Sequence, residues 1–141
     1  MTLHKVGWYV EGRVVLVYTD EVVTLEDITQ INREVIQHFD TGTRQVHLIV
    51  DVSEANVVPV NLVKLRQHSP ALGHMMIGWM IVVTTNKTIY YLAQAVPQML
   101  TRCKSHVVES FDEAVAFLAR EDPTIDWDET NESIRLPAAE K

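Results

Sequence analysis

Gln45-Val46-His47-Leu48-Ile49-Val50-Asp51-Val52-Ser53 carries the strongest strand signal in the chain. β-branched residues dominate it and its middle is almost unbroken in apolarity, so it reads as a central strand, covered on at least one face and commonly parallel to its neighbours. Asp51 and Ser53 mark its exit. A loop from Ser53 to Val60 follows, then a short helix near Asn61–Gln67. Pro59 is compatible with its start and His68-Ser69-Pro70 with its end, because the residue before a proline avoids helical geometry. Ile77-Gly78-Trp79-Met80-Ile81-Val82-Val83 is a second central strand.

Upstream, Gly7–Val10 alternates apolar and polar residues, and Arg13–Tyr18 is nearly all apolar. Glu11-Gly12 between them predicts a hairpin, with glycine supplying the positive φ of the turn. A helix then starts at Thr24, with Asp27 completing a variant capping box. Leu25, Ile28, Ile31, Val35 and Phe39 fall on one face, Glu26, Gln30, Arg33 and Gln37 on the other. Gly42 is placed to close it with a left-handed cap.

Downstream, Asn86 caps a helix with Ile89, Leu92, Ala93, Val96 and Leu100 on one side, which Pro97 should kink or split. A strand over His106–Glu109 leads to Ser110-Phe111-Asp112-Glu113, the clearest capping box in the chain. The last helix, Phe111 to about Arg120, turns Ala114, Phe117 and Leu118 inward and stops before Pro123. The order β-β-α-β-α-β-α-β-α predicts an α/β domain with a mixed, mainly parallel sheet, right-handed crossovers and an N-terminal β-hairpin.

The 141 residues carry 12 basic and 19 acidic side chains, for a net charge of −7. Residues 1–120 hold 10 basic and 12 acidic ones, whereas 121–141 hold 2 and 7. One domain over 1–120 and an acidic C-terminal tail over 121–141 are therefore expected. A solvated, mobile tail is the plain reading; Ile125, Trp127, Ile134 and Leu136 give it the means to dock on the domain or on a second subunit. No basic face exists to neutralise phosphates, so no nucleic-acid partner is expected. The apolar run Met75–Val83 is far short of the ~20 residues of a membrane helix, and Lys5 is followed by alternation rather than an apolar block, so neither membrane insertion nor a secretory signal is expected. A single cysteine excludes an intrachain disulfide and fits a reducing compartment, hence a cytoplasmic protein.

Motifs of known chemistry are missing. Only five glycines are present, and no glycine-rich phosphate loop or Gly-x-Ser-x-Gly elbow occurs. Six histidines, at 4, 38, 47, 68, 74 and 106, lack the spacing of a metal site. His47 reads as a buried, hydrogen-bonded ring, and His38, His68 and His74 as solvated. Cys103 reads as a small buried hydrophobe, although Arg102 and Lys104 beside it could activate a thiol. The acidic pairs Glu26-Asp27 and Asp112-Glu113 complement helix dipoles. No catalytic residue, metal or cofactor is expected.

What remains is the exit of the central strand, where Asp51, Ser53, Glu54, Asn56 and Asn61 concentrate. In open α/β sheets, ligands and partners gather outside the carboxyl ends of strands. Those five residues are the candidate partner- or ligand-binding site, with the alternative that Asp51 caps the loop and Asn61 the helix.

Leu48-Ile49-Val50-Asp51-Val52-Ser53, followed by a loop and a short helix, resembles the heart of the STAS superfamily of sulfate-transporter tails and anti-sigma-factor antagonists. Gly7-Trp8-Tyr9-Val10-Glu11-Gly12-Arg13-Val14 and Gly78-Trp79 are similar to stretches of small stand-alone bacterial proteins of that type. The resemblance implies a STAS-like fold and a non-catalytic regulatory or protein-interaction module. In phosphorylated antagonists a hydroxyl residue at the helix start takes the phosphate; Asn61 stands there in this chain and has no hydroxyl. The alternative is a small apolar-ligand or lipid-binding domain, as in the distantly similar CRAL-TRIO fold, with Met75, Met76, Trp79, Met80 and Met99 lining a pliable pocket. Trp8, Tyr9, Tyr90, Tyr91 and Trp127 lead to the expectation of a homodimer.

Overall fold

The computed structural model describes residues 4–43, 45–96, 98 and 103–135. Strands β1 (Lys5–Val10), β2 (Val14–Tyr18), β3 (Val46–Asp51), β4 (Ile77–Val83) and β5 (Lys104–Val108) form one sheet in the order β1-β2-β3-β4-β5. The hairpin pair is antiparallel, and β2 through β5 run parallel. Helices α1 (Leu25–Thr41), α2 (Leu62–Gln67), α3 (Lys87–Ala95) and α4 (Phe111–Glu121) complete the expected order. Short 3-10 turns lie at Pro70–Gly73 and Glu132–Arg135.

The strand order explains the layers. Three successive right-handed crossovers that all step in one direction put their helices on one face. That face carries Val15, Val17, Leu48, Met80 and Val82 and packs against Val35 and Phe39 of α1, Leu65 of α2, and Ile89 and Leu92 of α3. The opposite face, with Val14, Leu16, Ile49, Ile81 and Val83, has no crossover helix. Phe111, Ala114, Phe117 and Leu118 of α4 cover it, together with Ile125 and the half-buried Trp127 and Ile134. Leu136 lies outside the described residues. The segment after α4 is tied to β1: the Asn131 N–H donates to Tyr9 O (2.9 Å), and the Tyr9 hydroxyl to Glu132 Oε2 (2.6 Å).

Local chemistry sets the element ends. Gly12 has φ +79° in the hairpin turn, a conformation that opposes any side chain with a Cβ. Thr24 and Asp27 form the reciprocal capping box of α1. Asn86 caps α3 by accepting from the Ile89 N–H (3.1 Å), and Ser110 caps α4 by accepting from Glu113 (3.2 Å). Glu113 reaches the N–H of Glu109 (3.0 Å), one residue beyond the cap.

Three expectations require correction. Gly42 is not left-handed but extended, at φ −78°. Glycine is required there by crowding: an added Cβ would stand 2.4 Å from Val46 Cγ2 and 3.2 Å from Gly12 O. His38, His68 and His74 are half-buried rather than solvated. His38 Nδ1 pairs with Glu34 O (2.7 Å), His68 Nδ1 with Thr29 Oγ1 (2.8 Å) and His74 Nε2 with Asp40 Oδ1 (2.8 Å). The final strand begins two residues early, at Lys104. Pro97 and Leu100 lie outside the described residues. Among the described residues no helix is long and apolar enough to cross a membrane.

Candidate functional site

β3 is the middle strand, and its exit is at the surface as its composition implies. Asp51 is half-buried; Ser53, Glu54, Asn56 and Asn61 are exposed. Asp51 Oδ1 accepts from both the N–H (3.1 Å) and the hydroxyl (2.6 Å) of Ser53, which closes the chain into a local turn. Ala55, at 3% exposure, anchors the loop beneath. Asn56 is drawn away from Asp51: its N–H donates to Glu21 O (2.8 Å) and its amide to Glu21 Oε2 (3.5 Å). Asn61 caps α2 by accepting from the Lys64 N–H (3.0 Å). The five residues therefore form a rim, with Asp51 and Ser53 joined and Asn56 and Asn61 each engaged elsewhere.

Backbone pairing stiffens the rim. The Val57 N–H donates to Glu21 O (3.1 Å) and the Val23 N–H to Val57 O (2.8 Å), so the loop is laced to the segment after β2. Val22, Val57, Val60 and Val63 of this region stand 41%, 57%, 64% and 55% exposed, where core valines elsewhere in the fold are buried. These valines lie outside the polar group that the sequence singles out after the strand. The signal was present in the spacing of Val57, Val60 and Val63, which continues past the strand.

The crevice invoked for ligands at strand ends depends on a reversal of strand order, where neighbouring helices leave toward opposite faces. Here the order never reverses, and no such crevice opens among the described residues. A hollow of about 190 Å³ lies instead between the sheet and its helical layer. Val17, Leu48, Val50, Met80 and Val82 form its floor, α1 and α3 its walls, and Val58, Pro59 and Leu65 close the end beneath the rim.

Of the residues expected to line a pliable pocket, Met80 alone among the described ones does so. Met75 is 76% exposed and Met76 packs on the helix-covered core. Trp79 belongs to the other face, edge-on to Phe117 at 4.8 Å. Successive strand residues point to opposite faces, so Trp79 and Met80 cannot share a pocket. Met99 lies outside the described residues. Of the aromatic residues that suggested self-association, Tyr9 is buried and Trp8 and Trp127 are half-buried, packed against His38 and Tyr9 respectively. Tyr90 and Tyr91 remain exposed on α3.

A polar cluster sits at the other end of the sheet. His47, 1% exposed, accepts the Trp79 N–H at Nδ1 (3.0 Å), so its Nε2–H donates to Asp122 Oδ2 (2.8 Å). Arg13 donates to the same oxygen at 2.7 Å. Burial lowers the His47 pKa, and the bond to Asp122 only partly offsets this. Burial alone would raise the Asp122 pKa. Hydrogen bonds from Thr124 and His47 and the Arg13 charge outweigh it and hold the carboxyl well below the usual range. This is a clamp joining the hairpin turn, β3 and the segment after α4. Burial pushes the Cys103 thiol up to about 11, which leaves it protonated and unreactive near neutral pH. Among the described residues no three His, Cys, Asp or Glu side chains are placed to hold a metal ion.

No protein-family model matches this sequence, and no curated protein matches it. Among solved structures, the chain is similar to an uncharacterised protein of the DUF3478 family from Shewanella loihica PV-4, described as having a SpoIIAA-like fold. The two are 12% identical with a TM-score of 0.59, over 82% of this chain and 95% of that one. At such identity the likeness is one of fold. The parallel sheet with its antiparallel hairpin, the four helices and this neighbour agree, and the chain has the SpoIIAA-like, STAS-type fold that its central strand resembles.

Proposed function

We propose that this chain is a non-catalytic regulatory module that binds a protein partner through the rim after β3. The observation that carries the proposal is the group of exposed valines, Val22, Val57, Val60 and Val63, beside Ser53, Glu54 and Asn56. Fully burying an exposed valine contributes about 1.5–3 kcal/mol; these four stand about half exposed, so together they add roughly 3–6 kcal/mol toward holding a partner. The backbone bonds between Glu21, Val23 and Val57 pre-form the surface, which lowers the ordering cost of binding. Exposed Glu21 and Glu54 beside the valines favour a partner with an apolar element flanked by basic groups. With Asn61 at the start of α2, a phosphate cannot be placed at that position, so regulation there takes another form.

The test is capture of partners from lysate of the source cells by wild type, by Val60→Asp/Val63→Asp and by the control Tyr91→Ser. All three substituted residues are exposed, so the fold is retained. A protein held by wild type and the control but lost from the double variant, and then binding directly when purified, supports the rim. Identical captured sets from all three overturn it.

A further inference from the structure

Thr19 follows β2 on the same face as Val15 and Val17, which places it in the wall of the hollow between sheet and helices. It is 2% exposed, and its Oγ1 has no hydrogen-bond partner. Its N–H is satisfied by Asp51 O (3.1 Å), so the orphan is the side chain alone. The other fully buried polar residue of the lining, Asn32, is spent: its amide donates to Ile28 O and its oxygen accepts the Ala71 N–H, both at 2.9 Å. Among the described residues no charged side chain lines the hollow. One unmet hydroxyl in an apolar chamber is an arrangement folding avoids unless something else completes it. Water completes it poorly, because an enclosed water needs two to four polar partners and, beside Thr19, the described lining offers only the half-buried Ser69 hydroxyl.

We propose that the hollow is a binding site for a small neutral ligand: an apolar body bearing one uncharged oxygen, an alcohol, phenol or ketone, that hydrogen-bonds the Thr19 hydroxyl. Size follows from volume. An apolar cavity of about 150 Å³ accepts benzene, so about 190 Å³ takes a substituted single ring or its aliphatic equivalent. A carboxylate or ammonium is rejected, since no described lining group compensates its burial. The site stands apart from the partner rim, although Val58 and Pro59 of the rim loop close one end of it. Either reading can fail without the other.

The test titrates the full chain with p-cresol, toluene and benzoate, following backbone amides by NMR and the melting temperature. p-Cresol shifts the amides of Thr19, Leu48 and Ala93 saturably and raises the melting temperature. Toluene, equal in shape without the oxygen, binds about tenfold more weakly, and benzoate does not bind. Thr19→Val, which preserves shape, keeps toluene binding and abolishes the preference for p-cresol. The proposal is overturned if no compound reaches the hollow, if toluene matches p-cresol in the wild type, if benzoate binds as well as either, or if Thr19→Val retains the preference.

Discussion

Replacing Asp122 by asparagine tests the clamp at the far end of the sheet. Oδ2 accepts from Arg13 and His47, and Oδ1 accepts from the N–H and hydroxyl of Thr124. An amide keeps one accepting oxygen and turns the other into a donor. Whichever way it rotates, two of these donors then face an NH2 group. The amide settles with its oxygen toward Arg13 and the 1%-exposed His47, and its NH2 then meets exposed Thr124, whose hydroxyl turns to accept while its N–H loses a partner. Losing that bond costs about 0.5–1.5 kcal/mol, and losing the ionic character of the Arg13 bond adds about 1. The expected loss is about 1.5–2.5 kcal/mol, or roughly 4–8 °C in melting temperature for a domain of this size. Thermal unfolding followed by circular dichroism at pH 7 reads it. The sign with pH is fixed. Asp122 has a depressed pKa in the folded state, so its contribution is present above about pH 4 and vanishes as pH falls through the folded value. His47 is also depressed, so the unfolded chain takes up its proton first and wild-type stability declines below about pH 6.5. The gap between wild type and Asp122→Asn should therefore be full at pH 7 and narrow below about pH 4. A variant melting within about 1 °C of wild type at pH 7 would refute the clamp.

Gly78→Ala would place a Cβ 2.5 Å from Cε1 and Nδ1 of His47 and displace the ring. It should cost about 1–3 kcal/mol and expose the Trp79 amide to exchange; unchanged exchange at that amide contradicts it. Ending the chain after Asp122 removes Ile125, 6% exposed, and the cover over Tyr9 and Phe111. The truncated protein should bind a hydrophobic dye and melt well below wild type, and equal melting would show that this cover is dispensable. Self-association through Tyr90 and Tyr91, 51% and 61% exposed, should give a dimer mass by light scattering at high micromolar concentration. Tyr90→Ser/Tyr91→Ser should return it to monomer, and a wild-type monomer at that concentration ends the idea.

Elements were legible wherever a local signal fixes them. Ile77–Val83 matches residue for residue because its apolarity is continuous, its final Ile81-Val82-Val83 is β-branched and Thr84-Thr85 close it. Thr24, Asn61, Asn86 and Ser110 cap helices because capping is decided within four residues. What failed was decided by distant neighbours. Gly42 is needed for the approach of Val46 and Gly12, and His74 is half-buried because Asp40 and Phe39 come to it. The candidate rim was readable as polar residues after a strand, but its valines and the hollow beneath it depend on how three helices settle on one face. Thr19 was within reach, since the two-residue period through Val15 and Val17 leads to it.

The unreversed strand order has a consequence for synthesis on the ribosome. By the time β5 emerges, the chain holds everything needed for one side of the molecule and nothing for the other. At about 5–20 residues per second, the wall of Leu16, Ile49 and Ile81 waits on the order of a second or more for Phe111, Phe117 and Ile125 to arrive. For that interval the nascent protein is a half-clad sheet with exposed apolar surface, and the segment from Phe111 to Ile125 acts as the closing stroke of folding.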